Sequence, residues 1–329
     1  MRVDASRLRI EIIVPLYNEE HVVPEFHRRL MDVVRPLREQ HEVRICYVDD
    51  GSTDRTGEQL AKLAAADEGI VIVELSRNFG HQAALTAGLD RAEGDVAVTL
   101  DGDGQHPPEL IPRMIDLYGA GFDVVLTQRV APAPPSLKRW TSASFYRLLR
   151  MIGDTDITAG SADYRLVSRP VLEALRGMRE YHRFLRGMVA WTGFRTVVLP
   201  YAERARIGGR SKYSPARMLR FATDAIFSFS LVPLWIALVV GVLFLLLAAA
   251  EAVYVLSFWF TGRQHVLVPG WSSLMFMILL VGAALMIAIG LVGIYIGYIF
   301  QEVKRRPVYV LRALHRRPRG RPPRDDGAP

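Results

Sequence analysis

Two carboxylates one glycine apart, Asp101 and Asp103, close a short apolar run in the stretch Asp95-Val-Ala-Val-Thr-Leu-Asp101-Gly102-Asp103-Gly-Gln105-His106-Pro107-Pro108-Glu109. Carboxylates this close repel unless a cation lies between them or one is protonated. Hard oxygen ligands beside a flexible glycine suit Mg2+ or Mn2+, with water and a substrate's phosphates completing the coordination. A polar turn after a strand uses the same residue types, so the neighbouring segments have to decide. One of them, Arg204-Ala-Arg206-Ile-Gly208-Gly209-Arg210-Ser211-Lys212-Tyr213, packs basic side chains around two glycines. Backbone N–H groups at glycines approach phosphate oxygens closely, so this loop suits an anionic headgroup better than a merely solvated charge run.

The elements that must position these residues follow one alternating pattern. Leu8–Val14 reads as a strand, too short and too charged for a signal peptide. It runs into the turn Pro15-Leu-Tyr17-Asn18-Glu19-Glu20. Val43–Val48 ends in Asp49-Asp50-Gly51-Ser52-Thr53-Asp54, and Ile70–Leu75 ends in Ser76-Arg77-Asn78-Phe79-Gly80. Val96–Leu100 and Phe122–Thr127 complete five strands, with helical patterns in the intervals. This alternation predicts an α/β fold, a mostly parallel sheet with helices on both faces. Polar clusters at the carboxyl ends of successive strands are the anatomy of one ligand cleft at a sheet edge. Beyond a Pro-rich break at 131–135, Leu137–Ile152 reads as a helix carrying Lys138 and Arg139, and 162–167 and 195–201 as further strands.

The formal charge of +7 resides in the tail, because Lys304–Pro329 alone nets +7 and residues 1–303 sum to zero. The tail has no interleaved aromatic platform beyond Tyr309, which argues against nucleic acid as a partner. The single cysteine, Cys46, excludes a disulfide framework and fits a reducing compartment. Ser214–Ser230 alternates apolar and basic residues like an amphipathic helix on a membrane surface. Leu231–Ala250 and Leu274–Phe300 are free of charge, each long enough to cross about 30 Å of hydrocarbon. The basic residues flank the pair, so the positive-inside rule places both ends in the cytoplasm and the 251–273 loop outside. The Arg/Pro-rich tail reads as disordered and suited to anionic lipids.

Six motifs in order carry a resemblance: Val14-Pro15-Leu-Tyr17-Asn18-Glu19, Val48-Asp49-Asp50-Gly-Ser-Thr-Asp54, Ser76-Arg-Asn-Phe-Gly80, Asp101-Gly-Asp103-x-Gln105, Ala162-Asp163-Tyr-Arg165-Leu166 and the Arg206–Tyr213 loop. Together they resemble the family 2 glycosyltransferases of the GT-A fold, and within them the polyisoprenyl-phosphate glycosyltransferases. That group includes bacterial bactoprenol glucosyltransferases and dolichyl-phosphate mannose synthases. The resemblance implies inverting, metal-dependent transfer of one sugar from a nucleotide-diphosphate sugar to a polyprenyl phosphate at the cytoplasmic face of the membrane. UDP-glucose is favoured; GDP-mannose, or an N-acetylated or amino sugar, stay open as alternatives. A non-catalytic membrane scaffold that binds sugar nucleotides is the rival of a different class.

By the same resemblance, Pro15, Tyr17, Asn18, Glu19 and Asp50, with Asp101 and Gly102, hold the nucleotide. Asp101 and Asp103 match the metal-binding pair, with Gln105 in support. Arg129 and Arg139 match arginines on donor and acceptor phosphates, while Arg206, Ser211 and Lys212 match the acceptor-phosphate loop. Asp103, Arg129 and Asp163 are the expected catalytic group, Asp163 matching a residue proposed as base. Chemistry argues otherwise for Asp163, because a phosphate monoester with a second pKa of about 6 is already anionic at neutral pH. Such an acceptor needs alignment more than deprotonation. The organisation expected is a cytoplasmic catalytic domain over 1–212 and a juxtamembrane helix over 213–230. Two spans follow at about 231–257 and 274–300, then a basic tail over 301–329, in a homo-oligomer for which the resemblance suggests a tetramer.

Overall fold

The computed structural model describes residues 7–130, 161–181, 183–202, 232–261 and 270–315. Its strands are β1 (Arg9–Leu16), β2 (Glu42–Asp49), β3 (Ile70–Leu75), β4 (Val96–Thr99), β5 (Val124–Arg129), β6 (Ser161–Ser168), β7 (Thr196–Tyr201) and β8 (Leu311–His315). Its helices are α1 (Val23–Gln40), α2 (Thr56–Ala66), α3 (His81–Leu89), α4 (Ile111–Gly119, entered through a 3-10 turn at Pro108–Leu110), α5 (Arg169–Gly177), α6 (Leu185–Trp191), α7 (Val232–Phe260) and α8 (Trp271–Val303). The strands form one sheet in the order β7-β5-β6-β4-β1-β2-β3-β8.

β1 shows why the sheet is covered on both faces. Its side chains alternate across the strand. Ile10, Ile12 and Val14 enter the core with Phe26, Leu30 and Val34, which recur every fourth residue along α1. Ile13 points the other way, towards α3, where a Cβ added to Gly88 would lie 2.3 Å from its Cγ2. Burying such aliphatic side chains stabilises the fold by about 1.5–3 kcal/mol each. On the outer side of α1, Glu25 pairs with Arg28 and Arg29.

The sheet is mixed rather than mostly parallel, which corrects the sequence expectation. β1 runs parallel to β2 and β4, β2 to β3, and β5 to β7. β6 is antiparallel to both β4 and β5, and β8 to β3. Reversal of β6 has a functional consequence, because its first residues, not its last, lie at the carboxyl edge of β4.

A second correction concerns the tail. The segment expected to be disordered supplies β8, which pairs with β3 from Ile72↔His315 to Leu75↔Leu311. The chain separates into two compact units, one built on the sheet and rejoined from Pro307 onward, the other containing α7 and α8. In the second unit, Leu246, Val253, Met286 and Ile287 are exposed apolar side chains. Among the described residues, one helical stretch, Leu280–Val303, is long and apolar enough to cross a membrane.

Candidate active site

The carboxyl edge of the sheet gathers the predicted motifs. Leu100 donates a last N–H to Ile13 of β1, and the chain turns after it. Asp101 N–H donates to Nδ1 of His106 at 3.2 Å. His106 is only 1 % exposed, stacked on Tyr164 with centroids 5.2 Å apart and edge-on to Tyr201 at 5.9 Å. Tyr164 Oη donates to the carbonyl of Pro107, so β6 pins the far side of the turn. A Cβ at Gly102 would lie 2.3 Å from Cδ2 of Leu16, so this turn packs directly on β1. Gln105 meets Asp103 through its backbone, N–H to Oδ1 at 3.0 Å.

Among the described residues no three His, Cys, Asp or Glu side chains converge into a closed metal cage. The donor set nevertheless fits Mg2+ or Mn2+ in the open manner of phosphate-handling sites, where one or two carboxylates are completed by substrate and water. Oδ1 of Asp101 is a buried carboxylate oxygen that accepts no hydrogen bond and faces His81 Nε2 at 3.3 Å, a position that draws positive charge.

Asp163 reaches this turn because β6 runs backwards. Thr99 Oγ1, at the end of β4, donates to the Asp163 carbonyl at 2.6 Å. The carboxylate is buried and held by two guanidinium groups. Arg186 grips it through Nε at 3.0 Å and Nη2 at 2.9 Å, one on each oxygen. Arg165 Nη2 donates to Oδ1, and Gln82 Nε2 lies 3.4 Å from Oδ2. His81 Nε2 stands between the two acidic groups, 3.3 Å from Asp101 Oδ1 and 3.6 Å from Asp163 Oδ2. Burial pushes the Asp163 carboxyl up, but Arg186, His81 and Arg165 outweigh it and hold the group well below the usual carboxylate range. Desolvation lowers His81, while Asp101 and Asp163 raise it further, to about 9.

The β1–α1 turn is fastened to the loop after β2. Asn18, in the left-handed region at φ 52, donates its N–H to Ser52 Oγ and accepts from Thr53 N–H on Oδ1. Glu19 N–H donates to Thr56 Oγ1. Asp50 is buried and accepts from Phe79 N–H on one oxygen and Gly80 N–H on the other, at 2.8 and 2.9 Å. Its carboxylate therefore braces the loop that leads into α3. Tyr17 follows β1, half-buried, while Pro15 lies within the strand opposite Val48 rather than in the turn. That corrects its expected place: β1 continues to Leu16 because both residues are buried. Arg129 is exposed at the end of β5, on the same edge. Arg139, Arg206, Ser211, Lys212 and the 213–230 segment lie outside the described residues.

Sequence reasoning passed over His81, Gln82, His106, Arg165 and Arg186. Arg165 carried a readable signal, since residues two apart on a strand share a face and Asp163 is its i−2 neighbour. Arg186 stands in Arg186-Gly-Met-Val-Ala-Trp191, a segment with no strand-end or turn signature to single it out.

The Glycosyl transferase family 2 model matches residues 11–176. An uncharacterized glycosyltransferase of Bacillus subtilis, YkcC, is 37 % identical over 309 residues, covering 93 % of this chain and 94 % of its own. The SfII prophage-derived bactoprenol glucosyl transferase of Shigella flexneri is 36 % identical over 315 residues, covering 94 % of this chain and 99 % of its own. Among solved structures, the mannosyltransferase PcManGT of Pyrobaculum calidifontis, in complex with GDP-Man and Mn2+, is similar at 19 % identity with a TM-score of 0.44, covering 86 % of each chain.

Proposed function

The chain belongs to glycosyl transferase family 2, and from that premise we propose that it moves one sugar from a nucleotide-diphosphate sugar to a polyprenyl phosphate, inverting the anomeric centre. The observation that carries this reading is the confinement of Asp163 between Arg165 and Arg186. General-base efficiency falls as the pKa of the base falls below the operating pH. A carboxylate clamped by two guanidinium groups is a poor base for an alcohol, so the acceptor has to bring its own anion. A phosphate monoester does so, with a second pKa of about 6. Similarity over nearly the full length to a protein named bactoprenol glucosyl transferase supports the same acceptor class and glucose as the sugar, and UDP-glucose is the donor proposed.

In this reading Tyr17, Asn18, Glu19 and Asp50 frame the nucleoside, with Pro15 setting the strand end beneath them. Asp101 and Asp103, helped by Gln105, would hold Mg2+ or Mn2+. A cation held there would supply positive charge to offset that on the departing diphosphate. Arg129, Arg139, Arg206, Ser211 and Lys212 hold the phosphates of donor and acceptor. Asp163 fixes Arg165 and Arg186, and through His81 ties their position to Asp101.

Two crossings by α7 and α8 are supported by the sheet itself. β7 precedes these helices and β8 follows them, yet both belong to one sheet. A sheet does not straddle a bilayer, so the intervening chain crosses it an even number of times. With the basic residues flanking the pair, the catalytic unit and the tail face the cytoplasm.

A donor screen tests the proposal. Purified protein with Mn2+ and a short polyprenyl phosphate should release UDP from UDP-glucose and form a lipid-linked sugar. Release from GDP-mannose alone would reassign the donor, and release from none of the nucleotide sugars would overturn the reading.

A further inference from the structure

Past the apolar helices, only residues 304–308 separate the end of α8 from Tyr309. Tyr309 Oη accepts from Arg91 Nη1 at 2.7 Å and donates to Asp90 Oδ2 at 3.0 Å. The Arg91 guanidinium also lies 5.3 Å from the centroid of its ring. Asp90 caps the C-terminal end of α3 and Arg91 follows it. Val310, next in the chain, accepts the N–H of Ser76 at 2.9 Å, the first residue after β3. The ladder of β8 on β3 follows, with Arg312 and His315 flanking Glu74.

The chain after α8 therefore holds the stretch from the end of β3 to the end of α3 at both ends, Val310 at Ser76 and Tyr309 at Asp90 and Arg91. Between those grips lie Phe79 and Gly80, whose N–H groups meet Asp50, and then His81 and Gln82. Gln82 bridges the site, with Nε2 near Asp163 and Oε1 accepting from Leu185 N–H. α3 buries Leu85 and Leu89 together with the small side chains Ala83, Ala84, Ala87 and Gly88, and Arg176 donates to the carbonyls of Leu89 and Ala92. The small side chains permit close approach to the sheet, and Tyr309 adds a side-chain tie at the end of the helix.

We propose that residues 309–315 form a strap that fixes α3 along its axis, and that Tyr309 is a positioning residue for His81 and Gln82. The kinetic side of this inference rests on the sugar-transfer reading; the structural side does not.

The test uses the full chain. Tyr309→Phe keeps the ring and removes the hydroxyl, and Ala313→Pro removes a strand N–H from β8. Hydrogen exchange should rise at the amides of Phe79 to Gln82 in both variants while β1 and β4 keep their protection. With UDP-glucose, Mn2+ and a short polyprenyl phosphate, kcat should fall about tenfold while the donor KM changes by less than about twofold, because misplacement acts on the reacting geometry. Unchanged exchange at 79–82 in both variants, or faster exchange spread evenly over the sheet, would overturn the strap. An unaltered kcat alongside locally raised exchange would overturn the positioning role of Tyr309. If the unaltered protein transfers no sugar, the reaction reading fails and the exchange pattern still decides the strap.

Discussion

With Arg186 on both of its oxygens and Arg165 on one, Asp163 acts on the reaction through the groups it holds. Asp163→Asn should leave a reduced rate that still rises with pH through about 6, the second ionisation of the acceptor phosphate. Loss of turnover at every pH with intact donor binding would make Asp163 the base. The same cluster sets an acid limit on stability. A carboxyl whose folded pKa is depressed binds fewer protons than the unfolded chain between the two values. Its stabilisation is full above the ordinary value of 3.8 and drains away as pH falls towards the lower folded value. Urea unfolding from pH 5 downward should therefore be flatter in Asp163→Asn than in the parent. Arg165→Met, which leaves a buried carboxylate with one guanidinium, should destabilise by about 3–5 kcal/mol in the same assay. These acidic residues were legible as strand-end motifs; their partners were not. Arg186 and His81 lie far from Asp163 in the chain, and only the antiparallel course of β6 brings the three together.

At the scale of elements, glycines mark where helices and loops approach the sheet most closely. Gly51 has φ +68, and a Cβ there would lie 2.3 Å from the backbone carbon of Arg77. Gly51→Ala should cost about 1–3 kcal/mol, measured by thermal or urea unfolding, because the conformation is strained and the loop carrying Asp50's donors must shift. The first five strands and four helices were readable from hydrophobic period and turn chemistry, since each is long or bounded by polar clusters. β8 was hidden for physical reasons. It has five residues, Leu-Arg-Ala-Leu-His, sits at a sheet edge and is followed by an Arg/Pro-rich run that reads as disorder. Strand direction was equally illegible, because alternation fixes which face a residue takes and says nothing of which way its neighbour runs.

For the whole molecule, the sheet that receives the chain both before and after α7 and α8 makes topology testable. The native thiol, Cys46, is buried in β2, so introduced cysteines report cleanly. A membrane-impermeant maleimide on intact cells should label Gln264→Cys and spare Lys304→Cys; the opposite pattern would put the catalytic unit outside. In the proposed reaction a water-soluble donor meets a lipid acceptor, and that lipid has to arrive as an anion facing the donor diphosphate. The most direct measurement is nucleotide release from UDP-glucose with a short polyprenyl phosphate or the matching polyprenol, each with Mn2+ and with EDTA. The account predicts release with the phosphate and Mn2+ only. Equal release with the alcohol, or undiminished release in EDTA, would contradict it.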